Sequence, residues 1–260
     1  MTRIVSGVVV GAIALFLIWF LNSIAFLAVA LIAAALAFTE YEKLVDAIGA
    51  KVPFWSSLLA TLLACAMVPF QWVDIVSVLA AALLLIALNV LMSDRVGTPL
   101  LADTAAALLA PVYIGLPLGS IVGIHAIAGR EAVVLLIATV AVSDSAQYYA
   151  GRAFGRAKLA PQRSPNKTRE GALGGLVVAP AFLVVAGSYW LTIAPPIWLA
   201  ALGVGIVIAG IIGDLFESML KRAADLKDSG ALIPGHGGVL DRIDALLFAA
   251  PVFYFFVRTL

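Results

Sequence analysis

Only one cysteine, Cys65, and two histidines, His125 and His236, occur in the 260 residues of this chain. A single thiol inside an apolar run excludes a disulfide framework and a cysteine-rich zinc site. Charge is scarce as well: Asp, Glu, Lys and Arg make up 12% of the chain, against about a quarter in an ordinary soluble domain. The Walker A order G-x-x-x-x-G-K-[ST] is absent, so a P-loop nucleotide site is excluded. There is no internal repeat, no low-complexity linker and no polar stretch long enough for a soluble domain. The formal net charge is only +1, which argues against a general polyanion-binding surface, and no nucleic-acid partner is expected.

What remains is mostly hydrocarbon. Hydrophobic residues make up 63% of the chain and the mean hydropathy is +1.11. No soluble fold buries that much apolar surface, so the solvent must be lipid. Apolar runs follow one another at Ile4–Leu21, Ser23–Phe38, Phe54–Phe70, Val73–Met92, Leu100–Ile124, Ala132–Tyr149, Leu173–Leu191, Ile197–Phe216 and Ile243–Val257. They are continuously apolar and do not alternate with period two, so helices are expected and a barrel is not. The expected fold class is all-α: a polytopic integral membrane protein of about nine transmembrane helices. Pro111 and Pro117 should kink or break the long fifth run. The N-terminal run is read as a span, because it is long and lacks an A-x-A cleavage region.

Basic residues set the orientation. Fourteen of the sixteen Lys and Arg lie at the N-terminus or after runs 2, 4, 6 and 8, leaving Arg130 and Arg258 on the other side. The positive-inside rule then puts the N-terminus and both large polar loops in the cytoplasm, and an odd helix count puts the C-terminus outside. Trp55, Trp72, Trp190 and Trp198 fall near span ends, as interfacial anchors do. Residues 1–130 read as a lipid-facing scaffold. Residues 131–260 read as a catalytic part with two cytoplasmic polar loops, 150–172 and 217–242.

The first polar region runs from Asp144 to Gly175. Asp144 sits in the last turns of an apolar helix, where an ionised carboxylate needs a partner or a solvated end. The loop beyond it carries six cations and one anion, Glu170. That imbalance serves as an orientation signal, but the order S-P-N-K-T is more specific. Ser164 and Thr168 offer hydroxyls, Lys167 offers a point charge, and Gly171, Gly174 and Gly175 allow close backbone approach at a helix start. Such a set suits a phosphate.

The second region follows the eighth run. Asp214, Glu217, Ser218 and Lys221 fall on one helical face. That pattern fits an ion pair on a solvated stripe, yet Asp214 follows the apolar run IVIAGIIG and should sit at or below the interface, where it wants a metal or a basic side chain. Asp241 and Asp244 recur three apart at the start of the last helix, where acids also offset the helix dipole. Two carboxylate sets beside loop cations could instead hold Mg²⁺, which takes one or two carboxylates, waters and phosphate oxygens. His236, in the turn PGHGG, has no second histidine or cysteine nearby in sequence, so zinc is not expected there.

The run S-x-L-K-R-x4-K-D-x-G-x2-I-P-x-H-G-G-V-x-D-R-I-D, Ser218 to Asp244, resembles the signature of the phosphatidate cytidylyltransferase, or CDP-diacylglycerol synthase, family. The earlier loop is similar too, with G-R-x-F-G followed by S-P-x-K-T-x-E-G. Arg169 stands where the family often has Trp, and Gln147 where a small residue is common. The match at the level of motifs covers roughly residues 144–256, and residues 1–140 match in hydropathy alone.

The resemblance implies a Mg²⁺-dependent nucleotidyltransferase of phospholipid biosynthesis in the bacterial inner membrane. It would join CTP to phosphatidic acid, giving CDP-diacylglycerol and pyrophosphate, with its site facing the cytoplasm. A second cation and a homodimer are implied in the same way. The family's metal-binding aspartates map onto Asp214 and Asp241, with Asp144 and Asp244 as neighbours. Lys167, Lys221, Arg222 and Lys227 would hold phosphates, with Ser164, Thr168, Ser218, His236 and Arg242 in the substrate site. Of the assigned residues, Asp214, Asp241, Lys221 and Lys167 are expected to be catalytic. The nearest rival is the same chemistry on another lipid phosphate, such as an archaeal ether lipid or a polyprenyl phosphate. A transporter is the rival of another class, and the missing repeat and the one-sided polar loops argue against it.

Overall fold

The computed structural model describes residues 2–70, 74–93, 96–161, 163–191, 194–232 and 237–260, with side chains from residue 7 onward. Trp72, Arg95 and His236, and the Arg3 side chain, lie outside the described residues. The elements are α1 (Thr2–Phe20), α2 (Ser23–Ala47), α3 (Phe54–Phe70), α4 (Ile75–Leu91), α5 (Thr98–Ala110), a π-helical turn (Pro111–Gly115), α6 (Leu116–Phe154), β1 (Lys158–Ala160), β2 (Ser164–Thr168), α7 (Arg169–Trp190), α8 (Pro196–Ala223) and α9 (Leu240–Thr259).

Local chemistry sets several boundaries. The Asn22 side chain accepts from Ala25 N at 2.9 Å and caps α2, so two apolar helices meet across a tight turn. Asp74 caps α4 in the same way, accepting from Ser77 N at 2.9 Å. The break expected at Pro111 and Pro117 takes the form of the π turn, because proline cannot continue the i to i−4 ladder and a wider turn absorbs the lost bond. Gly129, with φ 82° and ψ 175°, interrupts α6 between the two runs expected on either side of it. That backbone conformation suits a residue without Cβ.

Among the described residues, Ser23–Ala47, Thr98–Phe154, Arg169–Trp190 and Pro196–Ala223 are long and apolar enough to cross a membrane. Gly7–Phe20, Phe54–Phe70 and Ile75–Leu91 are apolar but shorter. A helix of 17 residues such as α3 rises only about 26 Å, less than the hydrocarbon core of about 30 Å. The chain is therefore a helical membrane protein, while nine separate crossings exceed what helix length and composition establish. The all-α expectation needs one correction, the antiparallel hairpin β1–β2, which pairs Lys158 with Thr168 and Ala160 with Ser164. Pairing satisfies backbone groups of a connection too polar to continue either neighbouring helix.

Contacts divide the chain into two compact units. The first joins Met1–Ala126 to Leu220–Ile243, and the second joins Ile127–Met219 to Asp244–Leu260. Most of the second polar stretch thus folds with the N-terminal helices.

In the first unit, Gly115 and Gly119 lie one turn apart against α3. A Cβ on Gly119 would sit 2.5 Å from the Cys65 carbonyl, and one on Gly115 would sit 2.9 Å from the Ala64 Cβ. Small residues at that spacing let two backbones meet where lipid offers no hydrophobic drive to associate. Tyr41 is fully buried, and its hydroxyl donates to the Ala106 carbonyl at 2.8 Å. In the second unit, Gly203 sits against Pro180 of α7, and Gly213 against the Asp244 carbonyl at the start of α9.

Candidate active site

The second unit builds a polar cavity around its hairpin. Glu170, in the first turn of α7, accepts from Arg156 N at 3.0 Å and from Ala157 N at 3.2 Å. Arg169 N donates to the Ala157 carbonyl at 2.9 Å. These bonds tie the start of the hairpin back to the helix that follows it. Thr168 is the N-cap of α7, and its hydroxyl oxygen accepts from Gly171 N at 3.1 Å. The α6–α7 approach is tight here: a Cβ on Gly171 would lie 2.7 Å from the Gln147 carbonyl.

The resulting cavity holds about 650 Å³ and is lined by Asp144, Gln147, Tyr148, Gly151 and Arg152 of α6, by Asn166, Lys167 and Thr168 of β2, by Gly171 and Ala172 of α7, and by Asp214 of α8. That volume is in the range of small-molecule sites. Lys167 Nζ makes an ion pair with Asp214 Oδ2, and Ser218 Oγ donates to Asp214 Oδ1 at 3.3 Å. Both members of the ion pair keep contact with solvent, with side chains 21% and 35% exposed. Of the residues singled out in the sequence, Asp144, Lys167, Thr168 and Asp214 line this one cavity.

Other residues assigned from sequence lie elsewhere in the second unit. Ser164 opens β2 and is not among the cavity-lining residues. Glu217, on the face shared with Asp214, is fully buried rather than part of a solvated stripe. Asp244 Oδ1 accepts from the following Ala245 N at 2.8 Å, a local bond at the start of α9.

The first unit holds a different cluster. Lys221 Nζ donates to Asp241 Oδ1 at 2.6 Å. Asp241 Oδ2 accepts from Ser229 N, Ser229 Oγ and Gly238 N, each at 2.8 Å. The side chains of this pair are 14% and 6% exposed. Asp241 precedes the apolar part of α9. Burial works to raise its carboxyl, but the Lys221 ammonium, the Gly238 N–H and the Ser229 hydroxyl outweigh burial and hold it down to about 2. Arg222, Lys227 and Arg242 are exposed.

Asp214 and Asp241 belong to different units, and each is already paired with a lysine. Among the described residues, no three His, Cys, Asp or Glu side chains are grouped to hold a metal ion. Asp144 and Asp214, two carboxylates on one cavity, fit magnesium, which needs only one or two protein carboxylates when phosphate oxygens and water complete its shell. Asp241 fits less well, because three donors converge on Oδ2 and a metal at Oδ1 would compete with the Lys221 ammonium.

The sequence reading missed Gln147, Tyr148 and Asn166 of the cavity. Two of them flank residues it did single out. Asn166 precedes Lys167 inside S-P-N-K-T, and Tyr148 lies four residues after Asp144, one turn along α6.

The cytidylyltransferase family model matches residues 1–260. The chain belongs to the cytidylyltransferase family. It is 38% identical over 182 residues to a phosphatidate cytidylyltransferase of Bacillus subtilis (strain 168), covering 68% of this chain and 65% of that protein. It is 48% identical over 129 residues to a phosphatidate cytidylyltransferase of Brucella suis biovar 1 (strain 1330), covering 49% and 47%. It is 43% identical over 132 residues to the uncharacterized protein YnbB of Escherichia coli (strain K12), covering 50% and 43%. The matched stretches thus take in 43% to 65% of the relatives' own lengths.

Proposed function

We propose that this cytidylyltransferase-family chain is a phosphatidate cytidylyltransferase, converting CTP and phosphatidic acid to CDP-diacylglycerol and pyrophosphate. The observation that carries the reading is the second unit's cavity, where Lys167, Asp144 and Asp214 converge beside the capped start of α7. A phosphate oxygen of phosphatidate forms a new P–O bond at the α-phosphorus of CTP, and the bond to the β-phosphate oxygen breaks in line as pyrophosphate leaves. The nucleophile is already anionic, so no strong general base is needed.

The protein's part is therefore positioning and charge neutralisation. Lys167, released from Asp214, holds a phosphate oxygen. The Thr168 hydroxyl, whose oxygen accepts the cap bond, still has its proton to donate to phosphate. Arg152 at the cavity wall adds a bidentate donor for the lipid phosphate or the triphosphate. Asp144 and Asp214 would hold Mg²⁺ in the second unit, and Asp241, in the first, would be open to a cation only if Lys221 gave way. When bound, the ion would neutralise charge on the triphosphate and the leaving group.

On this reading the cavity faces the cytoplasm, where CTP is found, and the positive-inside pattern supports that orientation. The acyl chains stay in the bilayer while the headgroup reaches the cavity.

The test is pyrophosphate release by the purified protein from CTP with phosphatidate, an ether-lipid phosphate or a polyprenyl phosphate, each with and without Mg²⁺. Release with phosphatidate that requires Mg²⁺ is the expected result. Release with another lipid phosphate alone would move the substrate assignment, and no release with any of them would overturn it.

A further inference from the structure

In the first unit a buried acid of α2 touches the signature stretch from about 190 residues away in sequence. Glu40 is 5% exposed. Its Oε1 accepts from Val239 N at 2.9 Å, and its Oε2 from Leu240 N at 2.8 Å and from Ser229 Oγ at 3.2 Å. The two amides belong to the first turn of α9 and the residue before it, whose N–H groups have no partner within the helix. A carboxylate there satisfies them and offsets the positive end of the helix dipole.

Two glycines make room for it. A Cβ on Gly230 would lie 2.7 Å from Glu40 Oε1, and one on Gly238 would run into the same carboxylate. Ser229 links this acid to the next one, since its hydroxyl also lies 2.8 Å from Asp241 Oδ2. The hydroxyl has a single proton, so the carboxylates of Glu40 and Asp241 share one donor.

We infer that Glu40 is a positioning residue for the proposed cytidylyl transfer: its carboxylate holds the first turn of α9 and, through Ser229, the Asp241 side chain. The inference rests on the reading of the chain as a phosphatidate cytidylyltransferase for its catalytic consequence, and on the hydrogen bonds alone for its structural one. Glutamine at this position keeps the shape but turns one acceptor into an NH₂ group, which leaves one of the two amides facing a donor and unpaired.

The experiment compares the full-length protein with Glu40→Gln, Ser229→Ala and Asp46→Asn, the last an exposed acid on the same helix. Amide hydrogen exchange is followed over residues 237–245, together with kcat, KM for CTP and the fraction of folded protein. Glu40→Gln should speed exchange at Val239 and Leu240. It should lower kcat per folded molecule on the order of 100-fold, as displacement of a supporting group does, with KM for CTP little changed. Ser229→Ala should give a smaller effect of the same kind, and Asp46→Asn none.

If Glu40→Gln fails to fold, Ser229→Ala carries the test. Unchanged exchange over residues 237–245 would overturn the inference, as would a loss of activity no larger than the loss of folded protein. If the unsubstituted protein releases no pyrophosphate, the functional reading fails by itself and the exchange data still decide what Glu40 holds.

Discussion

Among the described residues, each compact unit contains an Asp–Lys pair, and the two pairs are built to different standards. Lys167 and Asp214 keep contact with solvent and line a cavity of about 650 Å³, and Asp214 also accepts from Ser218 at 3.3 Å. Lys221 and Asp241 are nearly closed off, and three further donors converge on Asp241. A half-exposed ion pair contributes little to stability and exchanges partners readily. A buried, fully bonded pair is expensive to break, because the survivor is left as an uncompensated charge. The open pair is thus suited to trade its partner for a phosphate or a cation, and the closed pair is suited to hold a loop in place. Both pairs sit in motifs that look alike as lists of charged residues, so pairing by itself does not distinguish a reacting group from a supporting one.

The sharpest way to break this contrast is Asp214→Asn. Turnover should fall on the order of 10³-fold, the loss expected when a group that organises transition-state charge is removed, while thermal unfolding in detergent stays near that of the parent. Asp241→Asn should do the reverse in stability, lowering it by about 3–5 kcal/mol as removal of one partner from a buried pair does. Equal unfolding curves for the two variants would erase the distinction. Lys167→Ala should cost about 10- to 100-fold, by analogy with loss of a charge-assisted phosphate contact, and the loss should appear in KM for CTP or phosphatidate with folding intact. Unchanged kinetics would remove Lys167 from the cavity's chemistry. The smallest effect belongs to Thr168→Ala, which deletes the cap of α7 at a cost of about 1 kcal/mol. Denaturant unfolding would register that change, and rescue by Thr168→Ser would separate the cap from packing of the methyl group.

Much of the fold can be read directly from the chain. The apolar run at Phe54–Phe70 coincides with α3, and the runs at Ser23–Phe38 and Ile197–Phe216 lie inside α2 and α8. In lipid every backbone polar group must be satisfied within the segment, so a long apolar run has little choice but a helix. The hairpin at Lys158–Ala160 and Ser164–Thr168 was not legible in the same way. Its strands are short and carry no alternation of apolar and polar residues, so only the pairing itself, anchored by Glu170 and Thr168, defines them. In the site, Asp144 and Asp214 stood out because each is a carboxylate at the end of an apolar run and needs a reason to be there, and Lys167 and Thr168 because the order S-P-N-K-T sets hydroxyls beside a point charge. Asn166, Gln147 and Tyr148 gave no such signal, since uncharged polar residues at helix ends and in loops are ordinary. Glu40 was invisible for another reason. It lies in TEYEK, which reads as the solvated end of a helix, and the amides it satisfies are 199 and 200 positions further along the chain.

By itself the sequence determined the solvent, the helical character and the residues with chemistry to offer, because hydropathy and charge act through local physical rules that hold wherever the segment is placed. Tertiary structure alone decided which of those charges are partners. An ion pair or a buried carboxylate gets its character from burial and from the donors around it, and those come from segments distant in sequence. That is why Lys167 and Asp214 open onto a cavity while Lys221 and Asp241, no different on paper, are buried together at the first turn of the last helix.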